Sequence, residues 1–494
     1  MSLKTVRNYV DGQWITPENN GYLDIVNPST GQIIGKTPLS TPAETNRAIN
    51  AAAEAFKAWG QTPVSRRVQP LYKLDTLLRE NEEKISRTLV EEMGKSLPDA
   101  RAEMKRIFEN IEVACAMPVL QQGDKLIGAS YDIDGEVIRL PIGVFAMIAP
   151  FNFPAMVPFW FLPYAIATGN TYIVKASEQV PLTMQLITEY IDQIGLPNGV
   201  FNLVNGDKVV GQTIIENPLV KGVSLVGSTQ TCKIVSEKCA QNQKRYQTMG
   251  SAKNHLVAMP DAKVDDMLRN MITSCYGCAG QRCMAASAIV AVSNKMYKTV
   301  CEKFIEASKK VLVADPLDPK FADEPMLMGP VISARSKQFI LEMIETGIKE
   351  GATLALDGRD IVVPNCENGY FIGPTVFTNV KPGMKTHTTE IFGPVIVILK
   401  ADSLDDAIEI INDLEYGNGA SIYTQNGYYA RKFKLETECG MIGINVGIPA
   451  PVAYLPFGGM KASLFADIKA QGKAIINFFT QDKIVTERYW PESS

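Results

Sequence analysis

Residues 142–178 have the sequence IGVFAMIAPFNFPAMVPFWFLPYAIATGNTYIVKASE, in which two β-rich runs enclose a turn and an apolar helical segment. Ile142–Ala149 and Tyr172–Val174 predict buried strands, and a buried helix is predicted to start near Ala155. No charged residue occurs from 140 to 174, a length that can span a bilayer. Prolines interrupt the run repeatedly, however, and each removes a helical hydrogen bond. The pattern therefore favours a buried core over a membrane span.

Two further runs, Val200–Val204 and Val223–Val226, continue the alternation of short strands with helical stretches such as Thr183–Ile194. This alternation is typical of βαβ units and predicts an α/β fold with a parallel sheet. Ligands of such sheets bind beyond the carboxyl ends of the strands. The segments that follow three of the strands are therefore expected to share one crevice: Pro150–Pro154, Lys175–Glu178 and Gly227–Thr229.

The flanking regions also read as α/β structure. Asp11-Gly12 is a turn dipeptide that predicts a hairpin in about the first 20 residues. Thr41 begins a helix with a capping box completed by Glu44, and residues 65–120 are predicted to continue as long, charged amphipathic helix. Residues 253–440 alternate strands and helices again, which predicts a second α/β unit, and the run Phe478–Arg488 predicts a strand.

Composition excludes several classes of protein. The 494 residues include 49 Lys and Arg against 53 Asp and Glu, a net charge of −4 that offers no footprint for nucleic acid or an anionic membrane. The only two histidines, His255 and His387, exclude a His-rich metal site, and no metal is expected. Nine scattered cysteines do not resemble a disulfide framework and indicate a reduced compartment. The first ten residues predict no signal peptide, so a cytoplasmic location is expected.

Cys283 is a candidate nucleophile at the end of the segment Gly277-Cys278-Ala279-Gly280-Gln281-Arg282-Cys283. Glycines let the backbone approach a ligand closely, and the neighbouring Arg282 cation favours a thiolate. Most free cysteines are nevertheless inert and buried. Composition alone does not separate Cys283 from Cys275 and Cys278.

Polar residues at the expected crevice each have two interpretations. Asn152, which lies among apolar residues, is either a structural turn residue or a preorganised donor to an oxyanion. Gly227-Ser228-Thr229 is either a phosphate site or an ordinary helix cap, and no G-x-G-x-x-G motif occurs. Lys175 and Glu178 either hold a ribose or form a surface ion pair.

Together these segments resemble the aldehyde dehydrogenase superfamily. The same motifs occur in the same order, and the resemblance covers nearly the whole chain. The shared motifs are PFNFP (150–154), KASE (175–178), GST (227–229), GQRC (280–283), EIFGPV (390–395) and PFGGMK (456–461). The resemblance implies a Rossmann-like NAD-binding domain at 1–120 and 140–252, and an α/β catalytic domain at 253–445. It also implies a small β oligomerisation element at 121–139 and 465–494, and a homo-oligomer, either a dimer or a tetramer.

The resemblance also implies the roles of individual residues. It selects Cys283 as the nucleophile, and it assigns the oxyanion hole to the Asn152 side chain and the Cys283 N–H. NAD is the implied cofactor, and its expected contacts are Phe151, Lys175, Glu178, Gly227, Ser228, Glu390 and Phe392. A carboxylate at Glu178 favours NAD, because it would repel a 2′-phosphate.

One departure from the family pattern narrows the predicted reaction. Hydrolytic members carry a general-base glutamate four residues before a lysine, and this chain has Met249 four residues before Lys253. Methionine cannot accept a proton from water, so hydrolysis is expected to be slow, whereas a thiol such as coenzyme A is largely independent of that base. The chain thus resembles the CoA-acylating methylmalonate-semialdehyde dehydrogenases, whose signature includes AKNH (252–255) and GQRCMA (280–285). Arg106 and Arg282 match the arginines thought to hold the substrate carboxylate there.

The predicted activity is NAD-dependent oxidation of methylmalonate or malonate semialdehyde with decarboxylation, giving propionyl-CoA or acetyl-CoA through a thioester on Cys283. One alternative is a hydrolytic semialdehyde dehydrogenase with a base supplied elsewhere, and a second is a non-catalytic dinucleotide-binding protein. His255 is open to a catalytic or a structural role. Cys232 and Leu464 stand where glycine is common in the family. These departures are expected to alter either the dinucleotide loop or an intersubunit contact.

Overall fold

The computed structural model of the chain describes residues 3–18 and 21–490, so the ends of the predicted domains at 1–2 and 491–494 lie outside the described residues. The strands are β1 Lys4–Thr5, β2 Asn8–Val10, β3 Gln13–Ile15, β4 Tyr22–Val26, β5 Ile33–Pro38, β6 Lys125–Ser130, β7 Ile133–Pro141, β8 Val144–Ile148, β9 Thr171–Lys175, β10 Phe201–Val204, β11 Val220–Val226, β12 Arg245–Met249, β13 Asn254–Ala258, β14 Ala286–Val292, β15 Leu312–Val313, β16 Leu327–Met328, β17 Thr353–Leu356, β18 Thr375–Thr378, β19 Val395–Ala401, β20 Tyr416–Gly417, β21 Gly419–Tyr423, β22 Met441–Ile444, β23 Met460–Lys461, β24 Leu464–Phe465 and β25 Thr480–Arg488.

Helices occupy most of the intervening chain. They are α1 Pro42–Trp59, α2 Val64–Arg67, α3 Gln69–Glu80, α4 Glu82–Met93, α5 Leu97–Cys115, α6 Met117–Leu120, α7 Met156–Phe159, α8 Leu162–Thr168, α9 Leu182–Ile191, α10 Lys208–Glu216, α11 Thr229–Gln241, α12 Val264–Tyr276, α13 Asn294–Ser308, α14 Ala334–Lys349, α15 Lys385–Thr388, α16 Leu404–Asn412, α17 Gly427–Glu436 and α18 Ile476–Phe479. Short 3₁₀ turns cover Gly277–Gly280 and Lys473–Ile475.

The first large sheet has the strand order β24-β12-β11-β8-β9-β10-β2-β3. Strands β8 to β12 are parallel, which confirms the predicted βαβ alternation. The chain fills the sheet from β8 through β9 to β10 and then returns to β11 on the other side of β8. The strand order therefore reverses between β8 and β11, and such a switch point is where ligands of open α/β sheets bind.

The second large sheet has the order β17-β18-β19-β14-β13-β21-β22 and is parallel except at its edge strand β17. It confirms the second α/β unit. A three-stranded antiparallel sheet, β25-β7-β6, lies apart from both in strand pairing. Its strand β25 pairs with β7 along its whole length, so the strand predicted near the end of the chain is also present.

The long helix predicted for residues 65–120 is wrong in one respect, because the segment forms α2 to α6 instead of a continuous helix. Gly94 ends α4 in the left-handed conformation, with φ at 84°, and Ser96 then caps α5 by accepting a hydrogen bond from the Asp99 N–H. The buried helix predicted from Ala155 is likewise split into α7 and α8, and Pro163 occupies the first turn of α8. Within the described residues no helix is long and apolar enough to cross a membrane.

Candidate active site

Cys283 lies between the 3₁₀ turn Gly277–Gly280 and strand β14. Three consecutive residues of this turn are left-handed, with φ of 52° at Cys278, 54° at Ala279 and 74° at Gly280. A Cβ at Gly280 would lie 2.3 Å from the Gly393 carbonyl oxygen, so only glycine permits this approach. The turn therefore brings the nucleophile segment against the segment 390–395.

Two asparagines hold the backbone of Cys283. The side-chain amides of Asn254 and Asn418 each donate a hydrogen bond of 2.8 Å to the Cys283 carbonyl. Asn254 also accepts from the Gly419 N–H at 3.0 Å, which links β13 to β21 beneath the site. Both asparagines are buried. Sequence reasoning noted Asn254 only as part of a signature and did not assign it this role.

A cavity of about 390 Å³ opens beside Cys283. Arg106 and Arg282 line it, so the structure brings both predicted carboxylate ligands to the candidate nucleophile. Its apolar walls include Phe153, Met156, Trp160, Met284, Ile448 and Phe457. This volume falls in the range of small-molecule sites, and the mixture of apolar walls with two guanidinium groups suits a short acid.

Both arginines already contact a carboxylate. Arg282 pairs with Asp99, and its Nε–H also donates to the Cys278 sulfur at 3.3 Å. Arg106 pairs with Glu109 one helical turn along α5, at 2.6 Å. A guanidinium has five N–H donors, so each arginine keeps donors for a further carboxylate.

The Arg282–Asp99 pair fixes the state of both groups. Burial would lower the pKa of Arg282, but Asp99 and Cys278 outweigh it and raise the pKa. Burial would raise the pKa of Asp99, but Arg282, the hydrogen bonds from Cys278 and the Lys95 cation together outweigh it and lower the pKa. Both groups are therefore charged at neutral pH. A Cβ at Gly277 would lie 2.2 Å from the Arg282 guanidinium carbon, so this glycine makes room for the pair.

Burial raises the pKa of the Cys283 thiol to about 12, and the Glu390 carboxylate acts in the same direction. Backbone N–H groups of Cys283 and Met284, and the Arg282 cation, oppose this shift. The expected effect of Arg282 on the thiol is thus present but smaller than the effect of burial. In this structure the thiol is protonated at neutral pH.

Asn152 lies in the turn that follows β8 and is buried. Its side-chain amide donates a hydrogen bond of 3.0 Å to the carbonyl of Gln281, two residues before Cys283. The structure therefore brings Asn152 to the nucleophile segment. The amide has two N–H groups, and this contact uses one of them.

A buried ion pair that sequence reasoning missed lies behind the Asn152 turn. Lys95 and Glu103 meet at 2.6 Å, and neither side chain is exposed. Glu103 lies on α5 between Asp99 and Arg106, so one face of this helix carries all three charges at intervals of about one turn. A sequence signal existed, because Glu103 falls on the same helical stripe as the apolar residues Ala100 and Ile107.

The predicted dinucleotide ligands surround the switch point of the first sheet. Lys175 ends β9 and pairs with Glu178 at 2.6 Å. Ser228 follows β11 and caps α11, accepting a hydrogen bond from the Thr231 N–H at 3.3 Å. Gly227, just before it, donates its N–H to the Met249 carbonyl. The ion pair and the helix cap are thus both present, and cofactor binding by these residues stays a prediction.

Glu390 and Phe392 lie where the two large sheets face each other. Glu390 accepts a hydrogen bond of 2.8 Å from the Ala252 N–H. Burial raises the pKa of Glu390, with Ser251, Ala252 and Lys253 opposing the shift. The rings of Phe392 and Phe151 meet edge to face, with centroids 5.9 Å apart. Phe151 and Phe392 therefore join the Asn152 turn to the Glu390 segment.

Met249 ends β12 and is buried. It pairs with Val226 on one side and with Leu464 of β24 on the other. Two departures from the family pattern, Met249 and Leu464, are thus neighbours in the sheet. The third, Cys232, is buried in α11 with its sulfur 3.8 Å from the Gly227 carbonyl, next to the predicted dinucleotide loop.

The only two histidines of the chain contact each other. The Nε2 atoms of His255 and His387 are 3.0 Å apart, and both rings are buried. Burial, together with a smaller effect of Lys253, lowers the pKa of His387 to about 4. Burial likewise lowers the pKa of His255, with contributions from His387 and Lys253. This pair ties β13 to α15 outside the lining of the Cys283 cavity.

No cluster of three or more His, Cys, Asp and Glu side chains within residues 3–18 and 21–490 is arranged to hold a metal ion. The polar groups around Cys283 are amides, guanidinium groups and carboxylates that already have hydrogen-bond partners. The arrangement suits nucleophilic attack on a carbonyl carbon, because a cysteine, an amide donor and anion-binding arginines converge on one cavity.

Comparisons with known proteins agree with this geometry. The model of the aldehyde dehydrogenase family matches residues 14–485. A malonate-semialdehyde dehydrogenase of Halalkalibacterium halodurans is 41% identical over 98% of this chain and 98% of its own. The crystal structure of methylmalonate-semialdehyde dehydrogenase from Oceanimonas doudoroffii is 38% identical with a TM-score of 0.96, and the coverage is 99% of both chains.

A second solved structure, assigned as methylmalonate-semialdehyde dehydrogenase from Sinorhizobium meliloti and complexed with NAD, has the same identity, coverage and TM-score of 38%, 99% and 0.96. The predicted family and its fold are thereby confirmed. The chain is an enzyme of the aldehyde dehydrogenase family.

Proposed function

We propose that this enzyme oxidises malonate or methylmalonate semialdehyde with NAD and transfers the decarboxylated acyl group to coenzyme A, giving acetyl-CoA or propionyl-CoA. The observation that carries the proposal is the shared cavity of Cys283, Arg106 and Arg282. The relatives at about 40% identity act, by their names, on semialdehydes that bear a free carboxylate. A guanidinium fork is the side chain best matched to a carboxylate.

In the first step the Cys283 thiol loses its proton and its sulfur attacks the aldehyde carbon, which converts the carbonyl oxygen to an oxyanion. The free N–H of the Asn152 amide and the Cys283 N–H stabilise that oxyanion. The hydrogen bonds from Asn254 and Asn418 to the Cys283 carbonyl fix the backbone on which this N–H depends. Preorganised donors of this kind need no rearrangement when charge develops.

The residues present fit a bound NAD. Ser228 exposes a hydroxyl at the N-terminus of the 13-residue helix α11, and the Glu178 carboxylate follows β9, which is separated from β11 by β8 in the sheet. Lys175, Gly227, Phe151, Glu390 and Phe392 complete the proposed contacts. When bound, NAD accepts the hydride that leaves the aldehyde carbon, so that a thioester remains on Cys283.

The free carboxylate of the substrate is then β to the thioester carbonyl. Its C–C bond breaks, CO₂ leaves, the electron pair passes to the thioester as an enolate, and a proton restores the saturated acyl group. Arg106 and Arg282 orient the carboxylate before it leaves. Because Asp99 and Glu109 already hold these arginines, the substrate carboxylate is bound by the remaining N–H donors and with less than two full positive charges. Because the substrate carboxylate is stabilised less strongly, it leaves as CO₂ more readily than it would from two unpaired arginines.

Coenzyme A is the proposed acyl acceptor because this chain has Met249 where hydrolytic family members carry the general-base glutamate. Met249 is buried between two strands, and Glu103, the carboxylate nearest to the Asn152 turn, is engaged by Lys95. The hydrolytic alternative has one specific observation in its favour. Glu390 has a raised pKa and acts electrostatically on Cys283, so it is the candidate base if hydrolysis occurs.

The test is NADH production from malonate or methylmalonate semialdehyde, with and without coenzyme A. We expect a burst of about one NADH per active site without coenzyme A and steady turnover only after its addition, because the thioester waits for a thiol. Cys283→Ala is the control and should give no burst. Rapid turnover without coenzyme A would favour hydrolysis, and loss of that turnover in Glu390→Gln with the NADH burst retained would identify the base.

We further propose that the chain forms a homo-oligomer, a dimer or a tetramer, through the sheet β25-β7-β6. Exposed apolar side chains on this sheet and its turn, Leu126, Ile127, Tyr131 and Ile484, support an interface. The domain boundaries at 1–120 with 140–252, 253–445, and 121–139 with 465–494 remain predictions, as does a cytoplasmic location. Light scattering of the purified chain distinguishes monomer, dimer and tetramer.

A further inference from the structure

We infer that the buried Lys95–Glu103 ion pair holds the turn at residues 152–156 so that Asn152 is kept in position as an oxyanion donor. Glu103 also lines the cavity, but Lys95 engages one of its carboxylate oxygens and the backbone of the turn engages the other. Lys95 and Glu103 are therefore positioning residues in this view. The inference rests on the proposed role of Asn152 and Cys283.

Lys95 binds the start of the turn. Its ammonium donates one hydrogen bond of 2.6 Å to Glu103 and one of 2.7 Å to the backbone carbonyl of Asn152. The same nitrogen lies 3.9 Å from the ring centroid of Phe153, over its face. The cation therefore contacts two successive residues of the turn, including the residue that carries the amide.

Glu103 grips the end of the turn. The carboxylate oxygen that does not face Lys95 accepts hydrogen bonds from the backbone N–H groups of Ala155 at 3.0 Å and Met156 at 2.9 Å. The ion pair thus binds both ends of one short loop. It also satisfies N–H groups at the start of α7, which lack partners within their own helix.

Stability alone is a poor reason for this pair. Neither side chain is exposed, and removing two charges from water costs free energy that an ion pair in a protein interior often fails to recover. Apolar side chains of similar size would fill the same space without that desolvation cost. What they would not supply is directional hydrogen bonds to the backbone on both sides of Asn152.

The amide of Asn152 needs such support because it is shared between two tasks. One N–H is used on the Gln281 carbonyl, which leaves the other for the oxyanion. Phe153 and Met156, on the same turn, form part of the cavity wall. A small shift of the turn would therefore move the donor and reshape the cavity, and misplacements near 1 Å are known to cost roughly 100-fold in rate.

The chain offers a closely matched control. Glu92 is another fully buried glutamate, and it accepts backbone hydrogen bonds from Leu182 at 2.7 Å and Thr183 at 2.9 Å at the start of α9. Glu92→Gln and Glu103→Gln make the same chemical change at the same kind of helix start. Only Glu103 connects to the Asn152 turn.

The experiment measures the burst rate constant for NADH at saturating NAD, together with the melting temperature. Glu103→Gln is expected to lower the burst rate constant by about 10- to 100-fold and to change KM for the aldehyde by a smaller factor, because Arg106 and Arg282 are untouched although the cavity wall at Phe153 and Met156 shifts. Burial raises the pKa of Glu92 to about 7, so Glu92→Gln removes less charge and should lower the melting temperature less than Glu103→Gln does, and it should leave the burst within about twofold of the unmodified enzyme.

A double-mutant cycle then separates positioning from general damage. In an Asn152→Ala background, Glu103→Gln should cost no more than about twofold, since the donor it positions is already gone. Lys95→Met with Glu103→Leu provides a second test that leaves no buried unpaired charge. This double variant should fold and should have a lower burst rate constant than the unmodified enzyme.

Three results would overturn the inference: a normal burst in Glu103→Gln, an equal loss in Glu92→Gln, or full additivity with Asn152→Ala. Absence of a burst in the unmodified enzyme would instead reject the proposed reaction.

Discussion

The side-chain amide of Asn152 and the backbone carbonyl of Gln281 are joined by a hydrogen bond of 3.0 Å. This contact connects the turn after β8 in the first large sheet to the nucleophile segment that precedes β14 in the second. The proposed oxyanion donor and the nucleophile therefore lie in segments that adjoin different sheets. The hydrogen bond between these segments fixes their relative position.

Asn152→Ala removes one of the two proposed oxyanion donors. The burst rate constant should fall roughly 10²- to 10³-fold, the usual cost of losing one such donor. Asn170→Ala is the control, because Asn170 is equally buried but accepts hydrogen bonds from Ile142 and Gly143 at the other end of β8. If Asn170→Ala slowed the burst as much as Asn152→Ala, the assignment of the donor would be lost.

Arg106→Lys keeps the positive charge but removes the planar fork. KM for malonate semialdehyde should rise by about tenfold, while kinetics with propionaldehyde, which lacks a carboxylate, should change little. Arg101→Lys on the same helix is the control, because Arg101 pairs with Glu83 and Asp323 and is not among the residues that line the cavity. Equal effects on both aldehydes would contradict a carboxylate role for Arg106.

The raised pKa of Cys283, about 12, predicts slow alkylation at neutral pH. Because only the thiolate reacts, the rate with iodoacetamide should rise about tenfold per pH unit from pH 7 to 10 without reaching a plateau. Mass spectrometry of the peptide that contains Cys283 gives this rate. Glu390→Gln should accelerate the reaction, since the Glu390 carboxylate contributes to the raised pKa. A plateau below pH 9 would show that the thiolate forms more easily than the structure implies.

The buried histidine pair predicts loss of stability in acid. The pKa of His387 is lowered from 6.5 to about 4, so between these values the unfolded chain binds a proton that the folded chain does not. The destabilisation caused by His387 is absent above pH 6.5. Below pH 6.5 the free energy of unfolding falls as the pH drops, because the unfolded chain gains the proton. Between pH 7 and pH 5 this difference corresponds to about 2 kcal/mol for one histidine.

Urea unfolding of the unmodified enzyme and of His387→Phe at pH 7 and pH 5 measures this effect. The variant should lose about 2 kcal/mol less over that interval. Equal pH dependence in the two proteins would mean that His387 titrates normally.

The strands of the parallel sheets were predictable because β-branched and apolar runs end at glycine, proline or polar residues. Tyr172–Val174 lies inside observed β9, and Val223–Val226 inside β11. The helix breaks between 65 and 120 had a partial signal. Gly94 followed by Ser96 and Pro98 is a typical end of one helix and start of the next, but the continuous amphipathic pattern concealed it.

The supporting charges of the site were harder to predict. Cys283 and Asn152 belong to recognisable motifs, whereas Lys95, Asp99 and Glu103 occur in a charged helical segment where solvent exposure is the ordinary expectation. The stripe that Glu103 shares with Ala100 and Ile107 was a partial signal, but the burial itself depends on how α5 packs against α7 and α8, which is a tertiary contact. The His255–His387 contact likewise joins residues far apart in the chain.

Helix α5 separates what must stay fixed in this enzyme from what is free to vary. Asp99 and Glu103 bind the nucleophile segment and the Asn152 turn in addition to lining the substrate cavity, whereas Ala102 and Arg106 on the same helix belong to the cavity lining. Substitutions at the second pair can change the size and charge of the accepted aldehyde without disturbing the first. Directed evolution toward other short aldehydes should therefore begin at Ala102 and Arg106 and leave the residues one turn earlier untouched.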